Sequence, residues 1–358
     1  MNGKISTGEV LAITIGLITA LFPGIANTLI LSTSRNASLI SVIIATIIGF
    51  LPIMMITTIS KSMKNESLKE YLIKKLGTLG KILNILLIIV AVFILFLNSW
   101  LIIDFIISQF LTRTSYYFIS VMLFTIIAWT INKGIETSSR TIFILFLLIS
   151  IIMFALWIFL IPYVDLNNLK PYIDVKRIEM VKSSVIYLTY IIMPILYILD
   201  LKHITYDKRN FERKIIVSYI ISSLIVIIFL FLIISVYGIN LSTVLTYPVY
   251  ALFKKVQIFG FVERIENFAA VQIIVAFYVQ ATYLIYYLKE NIAEAFKITN
   301  GIVKNVETYL IALAIPTVSI LIFKNYNLVS VLRISPYIIS SLILVIVLLF
   351  IGSIKKEI

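Results

Sequence analysis

Apolar residues fall in ten runs of about 17 to 29 residues, and polar residues gather in the short segments between them. A bilayer core of about 30 Å needs about 20 apolar residues per helix, so each run is read as a membrane span. The runs lie at 8–31, 38–60, 82–110, 116–132, 141–162, 183–201, 214–238, 266–288, 306–323 and 336–354. The first is too long for a secretory signal and has no small-residue cleavage site, so it is expected to be retained. Ser67-Leu68-Lys69-Glu70 is a capping-box pattern. It predicts a short surface helix with Leu68, Tyr71, Leu72 and Leu76 on one face, ended by Gly77, with Lys69, Lys74 and Lys75 facing lipid headgroups. Val249, Leu252, Phe253 and Val256 follow Tyr247-Pro248 at helical spacing and predict a second interfacial helix before Gly260.

Two spans carry breakers at their centres. The first holds Phe22-Pro23-Gly24 and the sixth Met193-Pro194, and the two prolines are 171 residues apart. Proline removes a backbone donor and costs about 3 kcal/mol inside a helix, so such a break persists in lipid only where protein or a watery cavity covers it. Matched breaks divide the chain into two five-helix halves, 1–182 and 183–358. An odd number of spans per half inverts the second against the first, giving a 5+5 inverted repeat. Half-helix ends at matched breaks are the best sequence pointer to a binding site at the bilayer midplane.

Composition excludes the soluble alternative: 61% of residues are hydrophobic, only 13% are charged, and the mean hydropathy is +1.08. The chain is an all-α polytopic membrane protein. The net charge of +13 reflects basic residues in the short loops, a topology signal that argues against a nucleic-acid partner. With a cytoplasmic N-terminus, 19 of the 30 Lys and Arg lie inside, which favours both termini in the cytoplasm. The outer loop 162–182 carries four basic residues of its own. With no Cys and a single His203, thiolate and His-rich metal sites are excluded; no cofactor is expected. There is no P-loop, GxSxG or HExxH, so no catalytic residue is assigned.

Polar residues inside the spans supply the candidate chemistry. Asn84, Ala91, Asn98 and Gln109 lie within about 40° of one line along span three. Asn84 and Gln109 read as helix-to-helix contacts, whereas mid-span Asn98 can face a ligand. Asp104 is the acidic residue placed deepest among the apolar runs, either a proton carrier or a hydrated carboxylate near the outer interface. Tyr187, Tyr190, Pro194 and Tyr197 form one stripe on span six, suited to a small polar ligand or to core packing. Ala276, Gln280, Tyr283 and Tyr287 share a face of span eight and read as helix contact. Glu9 suits the start of the first helix, and His203 reads as a solvated loop residue.

The loops carry a resemblance. Pro162-Tyr-Val-Asp-Leu-Asn-Asn-Leu-Lys-Pro171, Lys133-Gly-Ile-Glu-Thr-Ser-Ser-Arg140 and Phe261-Val-Glu-Arg-Ile-Glu266, with the ten spans and the helix around Glu70 and Tyr71, resemble the spore germination receptor B-subunit family over essentially the whole chain. That family belongs to the amino acid-polyamine-organocation superfamily. The resemblance implies a LeuT-like fold, a small-molecule ligand such as an amino acid, and A and C partner subunits in the inner spore membrane. By position it implies a ligand site around Gly24, Ile25, Ala26, Asn27 and Thr28, with Asn98 and the segment from Tyr190 through Met193 to Pro194. Phe22-Pro23-Gly24 departs from the small, Gly-rich stretch expected there. A germinant sensor, a proton- or cation-coupled amino acid permease in the cell membrane, and an ion-conducting subunit are the three functions compatible with this reading.

Overall fold

The computed structural model describes residues 5–64, 66–256, 264–323 and 328–354. Gly260, the start of the Phe261–Glu266 motif and the basic residues Lys4, Lys355 and Lys356 lie outside them. Fifteen α-helices follow in chain order: α1 (Thr7–Thr19), α2 (Asn27–Ser34), α3 (Ser38–Ser62), α4 (Leu68–Leu76), α5 (Thr78–Gln109), α6 (Tyr116–Asn132), α7 (Ile135–Leu160), α8 (Arg177–Ile192), α9 (Ile195–Ile198), α10 (Phe211–Ser242), α11 (Pro248–Lys254), α12 (Glu266–Ala295), α13 (Gly301–Phe323), α14 (Leu328–Ser340) and α15 (Leu342–Ile354). The described residues contain no β-strand, only one isolated bridge between Ile5 and Thr205.

Among the described residues, eight segments are long and apolar enough to cross a membrane, and the 17-residue apolar α6 is a shorter one. The first of the eight, Thr7–Ser62, is not one rod, because Arg35 leaves helical geometry (φ 47°, ψ −130°) between α2 and α3. Helical starts differ from expectation where polar residues extend a span: α7 begins at Ile135 and α13 at Gly301, several residues before their apolar runs. Outward faces are mostly apolar, as Ile144, Ile151 and Phe154 on α7 illustrate. That is the pattern of a protein whose surroundings are hydrocarbon, where every backbone group must be satisfied within the helix.

Both breaks interrupt the α-helix. Between α1 and α2 the chain makes a π-turn over Phe22–Ala26, in which the Ala26 amide reaches back five residues to the Leu21 carbonyl (3.1 Å). Pro23 has no N–H for the Thr19 carbonyl, and the wider turn absorbs the missing bond. Between α8 and α9 the chain turns at Met193-Pro194, and Leu196 and Tyr197 bond three residues back instead of four.

Capping boxes fix two helix starts. Ser6 and Glu9 open α1, and Ser67 and Glu70 open α4, each with reciprocal side-chain bonds to backbone N–H. The α4 helix ends at Gly77 (φ +56°) and folds back on α5. Leu68, Tyr71 and Leu72 are buried against protein. Its lysines are also taken up within the chain: Lys69 pairs with Glu294 (3.0 Å), Lys74 with Glu66, and Lys75 donates to the Gly352 carbonyl (2.9 Å). Lys69 and Lys75 thus have partners on α12 and α15, while Lys74 remains 62% exposed beside the local carboxylate of Glu66.

Contacts define two ends of the bundle. At one end Ile5 exchanges backbone bonds with Ile204 and Tyr206 (3.0 Å each), and Asn132 bonds the Asn305 carbonyl. There Lys202 forms a buried ion pair with Glu212 (2.6 Å), whose same oxygen also accepts from Ser60 (2.8 Å). At the other end Arg35 reaches Asp174 (3.1 Å) and Asn240 (2.9 Å), and Lys254 reaches Gln109 (3.0 Å). There α11 buries Val249, Leu252 and Phe253 against the bundle, as its helical spacing predicts.

Candidate functional site

The break in the first span meets α5 and α12 around a cavity of about 20 Å³, room for one water. Ala20, Pro23 and Gly24 form one wall, Asn98, Leu101 and Phe105 of α5 another, and Ile273 and Phe277 of α12 a third. Gly24 matters here for its lack of a side chain: a Cβ would stand 3.7 Å from Leu101 and Tyr247, an ordinary contact, but anything larger would fill the space. Asn98 donates to Gln280 Oε1, and the Gln280 amide donates to the Leu17 carbonyl (2.9 Å). This chain of amides links α5, α12 and α1 through the centre of the bundle.

Tyr247 roofs the cavity. Its hydroxyl donates to Asp104 Oδ2 (2.7 Å) and lies 3.3 Å from the Leu101 carbonyl, while the Tyr116 hydroxyl approaches Asp104 Oδ1 at 3.5 Å. Burial first, then the Asp104 carboxylate, push the Tyr247 phenol well above its usual range, so it remains a donor at physiological pH. The rings of Tyr247 and Tyr250 stand edge-on to Phe105 at 5.0 and 5.2 Å, completing the lid with α11. Thr28 ties the break to this lid by bonding the Gly24 carbonyl (2.8 Å) and approaching the Leu245 carbonyl (3.3 Å).

Of the residues singled out in the sequence, Gly24 and Asn98 share the cavity and Asp104 stands in its roof, half-buried and five residues from the end of α5. Ile25, Ala26 and Asn27 are buried at the break, and both polar atoms of the Asn27 amide are enclosed without a hydrogen-bond partner. The tyrosine stripe lies alongside without lining the cavity. Tyr187 bonds Thr46 (2.8 Å), Tyr190 bonds Ser335, and Tyr197 donates to the Leu87 carbonyl (2.9 Å). The Phe22 ring connects the two breaks, 6.1 Å from Tyr187 and 6.5 Å from Tyr190. Met193 and Pro194 are buried at the second break.

A larger polar cavity, about 580 Å³, opens at the end of the bundle that holds Ile5. Asp200, Glu290, His203 and Lys304 line it. Asp200 is 8% exposed, more buried than Asp104, and accepts the Leu68 amide (3.0 Å) at the start of α4. His203 is half-buried in this wall and not a free loop residue. The sequence hides both, because Asp200 closes the sixth apolar run and His203 follows it beside Lys202, where the chain looks like the entry to a loop. Between the two cavities α12 carries Tyr283 and Tyr287. The Tyr283 hydroxyl donates to the Tyr197 carbonyl (2.7 Å), and Tyr287 stands edge-on to Tyr197 at 5.2 Å. The described residues hold no cluster of three metal-ligating side chains.

Eight long apolar segments among the described residues, two interrupted helices and a small cavity at the first interruption mark a multi-pass membrane protein. The model of the spore germination protein family, a permease-like family, matches residues 4–329, and the chain belongs to that family. It is a germination-related membrane protein of a family not known for enzymes. No curated protein matches the chain.

Proposed function

We propose that the chain is the ligand-binding membrane subunit of a spore germinant receptor, taking a small molecule such as an amino acid at the break of the first span. The carrying observation is the small cavity between Gly24 and Asn98 at the break of the first span, with Tyr247 and Phe105 in its wall. A cavity with room for one water must change shape to admit an amino acid, and a ligand that binds one shape better shifts the population. The orphaned Asn27 amide supports a polar guest nearby, since a buried amide without partners is costly. Thr28, Tyr187, Tyr190, Met193 and Pro194 complete the site in the shape that opens.

Ten crossings in two inverted five-helix halves, 1–182 and 183–358, accord with this reading. They take α1 with α2, α8 with α9 and α14 with α15 as single passes and add the shorter α6, which goes beyond the eight described segments long and apolar enough to cross. Both termini then face the cytoplasm of the spore, and A and C subunits receive the signal. A coupled permease is the second reading, favoured by Asp104 standing in the lid, where a proton would change its bonds to Tyr247 and Tyr116.

Purified protein scanned with the common amino acids should be stabilised by at least one. The gain is about 2.7 kcal/mol at one hundred times the dissociation constant. Gly24→Trp and Asn98→Ala should each abolish the shift, while Gly24→Ala keeps it. A shift retained in Gly24→Trp overturns the site. Uptake of the same amino acid into liposomes, lost in Asp104→Asn while the stabilisation persists, would replace the sensor by the permease.

A further inference from the structure

A cavity of about 350 Å³ lies between α1, α7, α10 and α12, away from the amide-lined site. Its floor is made by small residues, Ala12 and Gly16 of α1 and Ala276 of α12. Its rim includes Phe154 and Leu224, 66% and 53% exposed, near the middle of two membrane-crossing helices. The mouth therefore opens sideways into hydrocarbon, and an occupant must enter from the bilayer. The volume is at the lower end of small-molecule sites.

The lining is apolar except at a few points, and two of those are incomplete. Gln272 Oε1 and Trp157 Nε1 both belong to side chains of this wall, and both atoms are enclosed without a hydrogen-bond partner. One is an acceptor and the other a donor. A hydroxyl group both donates and accepts, so once the Gln272 amide and the Trp157 indole turn toward the cavity it can satisfy the pair, whereas a plain alkyl chain leaves both costs in place. Ser150 and Thr19, also in the wall, already donate to the Phe146 and Ile15 carbonyls.

We propose that this cavity binds a neutral alkyl alcohol dissolved in the bilayer, its chain over Ala12 and Ala276 and its hydroxyl between Gln272 and Trp157. Because Gly16 and Thr19 form part of the wall, the occupant rests on α1 one turn before the π-turn.

The chain has three tryptophans, so Trp100→Phe with Trp129→Phe leaves Trp157 as the only fluorophore. In nanodiscs of unbrominated lipid, 2-bromododecan-1-ol, whose bromine sits beside the hydroxyl, should quench it saturably, and 2-bromododecane should need at least a tenfold higher membrane concentration. Ala276→Phe should remove the saturable part, and so should Ala12→Phe if the first variant does not fold. Gln272→Leu, at a half-buried position, should erase the preference for the alcohol. Equal, linear quenching by alcohol and alkane, or an unchanged preference in Gln272→Leu, overturns the proposal. So does saturable quenching by phospholipid with brominated chains that the alcohol fails to displace, which would assign the cavity to an ordinary acyl chain.

Discussion

Lys202→Met is expected to lower the unfolding free energy by about 3–5 kcal/mol, the cost of leaving a buried charge without its partner. The Lys202 and Glu212 side chains are 8% and 12% exposed, and their pair joins the tail of the sixth span to the start of α10. Lys202 also donates to the Ser60 carbonyl, so the same ammonium holds the end of α3. Removing it leaves the Glu212 carboxylate with the Ser60 hydroxyl and its own backbone N–H but no countercharge. The double variant Lys202→Met, Glu212→Leu should recover most of the loss, because an ion pair replaced as a unit by apolar side chains is often neutral. SDS titration of the solubilised protein, followed by circular dichroism, reads both. A loss below about 1 kcal/mol in the single variant would mean that the pair behaves as a solvated one.

Gly80→Ala should cost about 3 kcal/mol, at the upper end of overpacking effects. An added Cβ would sit 2.1 Å from the Leu72 carbonyl oxygen and 2.5 Å from its carbon. These are backbone atoms of α4, which cannot rotate aside as a side chain does. The helix hairpin must open, separating Lys69 from Glu294 and the Leu68 amide from Asp200. Limited proteolysis at Lys74 and Lys75 should accelerate in the variant. Gly24→Ala, with 3.7 Å of room, is the control expected to stay within about 0.5 kcal/mol of the parent. Unchanged proteolysis in Gly80→Ala would show that α4 and α5 have slack at the crossing.

Local signals made much of this fold legible. Pro23 and Pro194 mark both interruptions because a missing N–H acts on its own turn, wherever the helix sits. Ser67 and Glu70 announce α4, and Pro248 starts α11, because capping and fixed φ are also local chemistry. The partners of polar side chains were not legible. Asn98 meets Gln280 from 182 residues away, and the phenols of Tyr187 and Tyr190 are taken by Thr46 and Ser335. A stripe gives the direction of a side chain relative to its own helix, but rotation is set by neighbours. Asp104 is deepest when counted along the apolar runs, yet Asp200 is the more buried, because α4 and α12 fold over it. For the cavity, the sequence supplied Gly24 and Asn98 but not Tyr247, which reads as a helix-start residue until α11 packs above the break.

The bridge between Ile5 and Thr205 bears on mechanics. It fastens the residue just before α1 to the stretch just after the sixth span, so the two interrupted spans are yoked at the same end of the molecule. A pull on either is transmitted to the other through two backbone bonds, without passing through either break. The pair therefore moves as a single lever, with Pro23 and Pro194 as its two joints and the yoked end as its handle.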